Sequence, residues 1–511
     1  QNRRDPDQKK YHQYMVYRKS SPIHTVISLL VRIGEKIRKI RALINDPCRL
    51  PLIGVLLLSI VAFGCRSGRS IDGGVEWEAK QLSAPDLPFV EFQAQEVPDD
   101  SASVKLWIGV KSESLIYLRL GNNFEAVIEM ELRAFAEGVA TPALEKFWIE
   151  KIHASTYAET RSEGQSLFSR TVDLPPGDYR VELTVRDRAT GKQITRRRFL
   201  SLAETDERTP YVSGIQLLQG RTIEGSRPVL GPYVVPSKGR IFGSFHVRPI
   251  SQDEPVVSEI SVMLVGWDST SASPPYAFNP LHGSLEYTGL DIATLDTVET
   301  MRLESSTSTV SWELGPEQRG VYLIVARNLI PVPGGERVEI EAQRPFVVMN
   351  PGFPKPSVLE DLIGPLRYLL RDDELENISE LYDPADRRNW LEQFWRERGE
   401  NQQQSEDILE RYYSRVEEAN EYFSSFKPGW QTDRGMIYII FGPPLTVRQS
   451  LNSVLWSYSH TEEDRFRTFE FRRIPLEGDL NMFDHFVLTR QPYYDTPWMG
   501  AVDSWRYGIG Y

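Results

Sequence analysis

Lys427-Pro428-Gly429-Trp430-Gln431-Thr432-Asp433-Arg434-Gly435, running directly into Met436-Ile437-Tyr438-Ile439-Ile440-Phe441-Gly442-Pro443-Pro444, is the most heavily punctuated stretch of the 511-residue chain. Pro428-Gly429 breaks whatever precedes it, Arg434-Gly435 turns the backbone, and Gly442-Pro443-Pro444 stops the apolar run. A helix is therefore expected to end before Pro428, and a buried strand to begin near Met436. Trp430 sits where a large ring with a single N–H donor can cover that corner. Thr432 and Asp433 carry short side chains that bond nearby backbone N–H groups and fix turns. Gly435 suits a position with positive φ, and Arg434 can fork onto a carboxylate or onto carbonyls.

A second reading of the same residues makes Asp433 and Arg434 a polar pair at the mouth of a cleft, with Asp433 as acid or base. Carboxylate catalysis needs a second group whose pKa is driven apart from the first. No spacing in the chain announces one, so the corner reading is the stronger.

The stretch resembles the GWxTD domain, a bacterial envelope family named for the residues that read here Gly429, Trp430, Thr432 and Asp433. The likeness includes Arg434, Gly435, Gly442, Pro443 and Pro444, and upstream Phe394-Trp395-Arg396-Glu397-Arg398 and Arg415-Val416-Glu417-Glu418-Ala419-Asn420. It covers residues 357–490. The resemblance implies an address in the cell envelope and no established activity, cofactor or metal.

Around that stretch, residues 351–511 read as an α+β domain. Pro351-Gly352-Phe353-Pro354-Lys355-Pro356 marks its start. Leu359, Leu362, Ile363, Leu366 and Leu369 step at helical spacing, and Asp383-Pro384 opens a second helix with a cap and a first-turn proline. Ile408, Tyr412, Val416, Ala419 and Phe423 form the apolar stripe of a third. Short strands are expected over 454–458, 468–474 and 486–489. The aromatic tail, with Trp498 and Trp505, either folds back or docks a partner.

Upstream, residues 103–205 alternate with period two, as in Phe124 to Leu132 and Tyr179 to Val185, which means antiparallel sheet. About seven strands in that length match an immunoglobulin-like sandwich. Residues 206–350 repeat the plan. Asp173-Leu174-Pro175-Pro176-Gly177-Asp178-Tyr179 is echoed by Glu313-Leu314-Gly315 and Gly320-Val321-Tyr322. The fold class is thus mainly β plus α+β: two tandem sandwiches, then the C-terminal domain. Ser269 to Pro275 reads as an exposed loop.

Residues 1–64 read as a leader. Leu50 to Gly64 is an uncharged apolar run of 15 residues, shorter than the roughly 20 that a spanning helix wants; it is the core of an export signal. Met15, the only methionine of the leader, suggests a translation start downstream of residue 1. Ala62-Phe63-Gly64-Cys65 resembles a lipobox, which implies a lipidated Cys65. Residues 65–102, with Pro85, Pro88 and Pro98, read as a flexible tether.

The leader holds 12 Lys and Arg against 4 Asp and Glu, so the remainder carries 47 basic and 67 acidic residues, a net charge of −20. Nucleic-acid binding needs a basic footprint and finds none. Membrane contact is expected through the acyl chains rather than by charge. The two cysteines, Cys48 and Cys65, leave the mature part without an internal disulfide.

Its five histidines, His153, His246, His282, His460 and His485, show no metal-ligand spacing, and no phosphate loop or nucleophile elbow occurs. The expectation is a non-enzymatic envelope lipoprotein, outer-membrane anchored, acting as a structural or protein-interaction module. The alternative is a glycan-binding protein or glycan hydrolase with Asp433, Arg434 and His485 around a cleft.

Overall fold

A computed structural model describes residues 78–509, apart from 81–89, 98–99, 163, 203–208, 249–253, 268, 278–289, 306–307, 316–317, 451, 462–463, 477–479 and 481. The leader and Cys65 lie outside the described residues. No helix among those described is long and apolar enough to cross a membrane.

The first strand, β1 (Glu78–Lys80), pairs far ahead in the chain with the C-terminal domain. Next come β2 (Val90–Val97), β3 (Asp100–Lys111), β4 (Leu118–Leu120), β5 (Asn123–Ala136), β6 (Leu144–Ala154), β7 (Gln165–Asp173), β8 (Gly177–Asp187) and β9 (Gln193–Leu202). They form one sheet ordered β2-β3-β7 and a second in which β6-β5-β8-β9 are neighbours, with β4 also on β5. Phe92, Leu106 and Ile108 from one sheet and Ile128, Met130 and Leu183 from the other close a single core.

β1 and β2 correct the tether expectation for their residues. Val90 and Phe92 are buried in the core of the first β-domain, and β2 pairs along β3, so these residues belong to a sheet.

The second β-domain contains β10 (Tyr211–Val212), β11 (Gln216–Gly220), β12 (Arg227–Pro228), β13 (Tyr233–Val234), β14 (Arg240–Arg248), β15 (Val256–Trp267), β16 (Leu290–Ser305), β17 (Thr309–Leu314), β18 (Gly320–Pro331) and β19 (Arg337–Val348). Its sheets run β11-β14-β17 and β16-β15-β18-β19, with β10 and β12 on the first and β13 joined parallel to β19. The strand order therefore repeats that of the first domain, β11, β14, β15, β16, β17, β18 and β19 standing where β2, β3, β5, β6, β7, β8 and β9 stood.

The echoed turn has a structural reason. In both domains it carries the chain from one sheet to the other, and the tyrosine ring folds back over the glycine two residues earlier, Tyr179 on Gly177 and Tyr322 on Gly320. Tyr322 also donates its hydroxyl to the Gln318 carbonyl at 2.9 Å.

The C-terminal domain begins with α1 (Leu359–Ile363), α2 (Asp372–Glu380), α3 (Pro384–Arg396) and α4 (Gln402–Phe423). Asp383 caps α3 by accepting from the Ala385 N–H at 2.7 Å, and α4 stops before Pro428. Then comes the main correction: Met436 does not open a strand. Asp433 to Phe441 is a helix, α5.

A short fully apolar run reads equally as buried strand or buried helix, and the ends decide. The Thr432 hydroxyl accepts from the Gly435 N–H at 3.1 Å, an N-cap. Gly442, at φ +77°, ends the helix while its N–H bonds the Tyr438 carbonyl at 2.8 Å. The corner joins helix to helix.

Strands β20 (Thr446–Gln449), β21 (Ser453–Ser457), β22 (Thr468–Arg473) and β23 (Phe486–Leu488) follow as a meander in the sheet order β1-β20-β21-β22-β23. Helix α6 (Asp495–Arg506) folds the aromatic tail back, burying Trp498 and Trp505. The Trp505 indole donates to the Ile440 carbonyl at 3.0 Å. This domain is α+β.

Candidate functional site

The motif lies where α4, α5 and β23 meet, and almost every polar group in it has an internal partner. Two glycines let the backbones approach. A Cβ on Gly429 would strike the Ala419 carbonyl of α4, and a Cβ on Gly435 would strike the carbonyl of Gly429. Gly435 therefore owes its identity to close packing, and the expected positive φ belongs instead to Gly442.

Thr432 donates its hydroxyl to the Gly429 carbonyl at 2.7 Å while capping α5. Asp433 accepts the Leu488 N–H at 2.6 Å through Oδ2 and takes Arg490 in a fork, at 3.1 Å on Oδ2 and 2.5 Å on Oδ1. Charge-assisted forked bonds of this kind are the strong ones.

Helix α4 supplies a clamp. Arg415 donates to the Ile439 and Ile440 carbonyls at 3.2 and 3.4 Å, at the C-terminal end of α5, where a cation is favoured. Glu418 accepts the Tyr438 hydroxyl at 2.7 Å. Asn420 accepts the Trp430 N–H at 3.1 Å and donates to the Pro354 carbonyl at 2.8 Å. Ser424 accepts the Gly429 N–H at 2.7 Å. These spacings along α4 are thus fixed by the corner they hold.

Trp430 is buried, and Tyr368 donates to its carbonyl at 2.7 Å. The indole N–H itself has no hydrogen-bond partner among the described residues, so the partner expected for it is not found. Pro443 is exposed and Pro444 buried beyond the end of α5.

The corner is also an interdomain joint, and the 269–275 segment, expected to be an idle exposed loop, forms its other half. The Ala272 N–H donates to the Gln431 carbonyl at 3.0 Å, and the Gln431 side chain donates to the Ser269 carbonyl at 3.1 Å. Lys427 reaches the Thr270 carbonyl at 3.0 Å, and Arg490 reaches that of Ser273 at 3.1 Å. Val265, Val347, Met349 and Phe353 share an apolar cluster with Phe426 and Phe483 beside it. Burial of this kind contributes about 25 cal/mol per Å² of apolar surface.

The three side chains that would line a catalytic cleft do not converge. Arg434 turns away from Asp433, donates to the Asp484 carbonyl at 3.1 Å and lies over the Phe486 ring, 4.2 Å from its centroid. Burial lowers its pKa to about 10, partly offset by Asp484, and it remains a cation at neutral pH. It faces a cavity of 40 Å³ among Glu91, Arg196, Arg198, Tyr233 and Asp484, where all three domains meet. That space holds on the order of one water and no sugar ring. Burial raises the Glu91 carboxyl there; it raises Asp484 as well, but Arg434 and Arg473 outweigh it and hold Asp484 below the usual carboxylate range.

His485 is buried against Phe426, with Nδ1 3.0 Å from the Ser425 hydroxyl. Burial lowers its pKa from 6.5 to about 3. An unfolded chain protonates this ring as pH falls through 6.5, whereas the folded chain resists until about 3, so the stability it supports above pH 6.5 is lost between those values. Urea midpoints measured from pH 7 to pH 4 should fall, and His485→Gln should remove up to about one proton from that slope.

No group of three His, Cys, Asp or Glu side chains that could hold a metal occurs among the described residues. Sequence reasoning missed Arg490 as the partner of Asp433 and left Arg415, Glu418 and Asn420 without roles. Nothing local to Arg490 signals the pairing, which depends on β23 lying against α5.

Residues 337–507 match the family model of the GWxTD domain. The match starts within β19, so the last strand of the second β-domain belongs to the same family unit as the corner it packs beside. No curated protein matches the chain.

Proposed function

The chain carries a GWxTD domain, and on that premise we propose that it is a non-enzymatic envelope lipoprotein whose β-domains present the C-terminal domain to a protein partner. One observation carries this reading: the charged and hydroxyl side chains of the motif are engaged internally. Asp433 holds Leu488 and Arg490, Thr432 holds its own turn, and Arg434 lies on Asp484 and two phenylalanine rings. Such an arrangement favours shape over turnover.

Anchoring rests on the sequence. The apolar run ending at Gly64 and the following Cys65 support export and lipidation, with the outer membrane as destination, and a net charge of −20 beyond the leader disfavours adhesion to anionic lipid. We read the two β-domains as immunoglobulin-like sandwiches, a reading supported by their shared order of three strands against four. Sandwiches in tandem act as spacers or binding modules.

Metabolic labelling with radioactive palmitate tests the anchor. The wild-type chain should take up label and Cys65→Ala should not; an unlabelled wild-type chain would overturn the lipoprotein reading. An affinity pull-down from solubilised membranes tests the interaction module, which stands if a defined protein co-purifies and falls if none does.

A further inference from the structure

Against the other side of Trp430 opens a pocket of 220 Å³. Trp430 and Gly364 wall it, and a Cβ on Gly364 would come within 2.6 Å of the indole ring. Ile363 and Ile378 are buried in it, while Leu375 stays 41% exposed. Apolar surface left open around a concavity marks recognition sites.

The polar groups set the class of ligand. Arg367 and Arg387 both line the pocket. Arg367 makes no ion pair among the described residues, and Arg387 has only Glu360 at 3.7 Å, a carboxylate that is itself 67% exposed. The Arg387 Nε is buried without a hydrogen-bond partner, as is the indole N–H of Trp430. Buried donors left unmade are costly. Two guanidiniums beside an apolar hollow, with no carboxylate among the described residues of its lining, complement an apolar group that ends in a carboxylate. The volume equals that of roughly seven waters, enough for one large aliphatic or aromatic residue.

We propose that this pocket binds an apolar carboxylate, with its hydrocarbon against Trp430, Ile363 and Ile378 and its carboxylate on Arg367 and Arg387. The chemistry is shared by the C-terminal residue of a protein and by a free fatty acid. This inference rests on the domain being an interaction module and names where that module engages its ligand.

The test is a saturation-transfer NMR titration of the full chain with three probes: an N-acetylated hexapeptide ending in leucine as the free acid, the same peptide as its C-terminal amide, and octanoate. Saturable binding of an acid with Kd on the order of 0.1–1 mM is expected, the amide binding at least about tenfold more weakly. Arg367→Gln and Arg387→Gln should each weaken the acid about tenfold, and Ser379→Phe, which fills the lining, should abolish it. Unchanged melting curves show that these variants remain folded. A tighter peptide acid identifies a protein C-terminus, and tighter octanoate a fatty acid. No saturable binding of either acid, or equal binding of acid and amide, would overturn the proposal. The pull-down decides the interaction module separately, because it can succeed through another surface while these titrations fail.

Discussion

Gly435→Ala should destabilise the protein by about 3 kcal/mol or more, read as a lowered urea midpoint. Helix propensity alone gives the opposite sign, since alanine within a helix is favoured over glycine by about 0.5–1 kcal/mol. The added methyl would fall on the Gly429 carbonyl, and that backbone is itself pressed against the Ala419 carbonyl of α4. Neither backbone can give way without moving the corner. Gly500→Ala is the control: Gly500 lies in α6 with nothing within 4 Å of a Cβ, and this change should stabilise by about 0.5–1 kcal/mol. Equal, favourable shifts for the two variants would contradict the packing described for the motif.

Asp433→Asn should cost about 3–5 kcal/mol, because it breaks a buried pair and leaves the Arg490 guanidinium charged without its partner. The asparagine oxygen can still accept from Leu488, so the loss reports the fork to Arg490 at 2.5 and 3.1 Å. Adding Arg490→Leu should recover part of it, since replacing both members removes the unpaired charge. A catalytic aspartate gives the reverse pattern, with wild-type stability and lost turnover. A hydrolase reading would require that pattern together with activity on an envelope glycan.

The β-domains were legible because period-two alternation and the Gly-x-Tyr turn are local signals, and both recur with the same strand order. The boundary at Pro351, after the last strand of the second β-domain, and the helix break before Pro428 were legible for the same reason. Helix α5 was not, because Met436 to Phe441 is apolar on every face and its three isoleucines favour strand; only its caps distinguish it. The site was half legible. Thr432 could be read as a turn-former, but its neighbour Asp433 depends on Arg490, 57 residues away, and the joint to Ala272 depends on a loop that composition marks as idle. Long-range pairing of that kind leaves no period in a sequence.

Native-state hydrogen exchange at three backbone amides tests the central claim most directly: Trp430 donating to Asn420, Leu488 donating to Asp433, and Ala272 donating to Gln431. If the motif is a joint that holds shape, all three amides exchange only when the molecule unfolds globally, with one shared free energy that falls together in Asp433→Asn. Fast exchange at Trp430 or Leu488 in an otherwise protected protein would show a corner that opens by itself, as a working loop does, and would contradict the account.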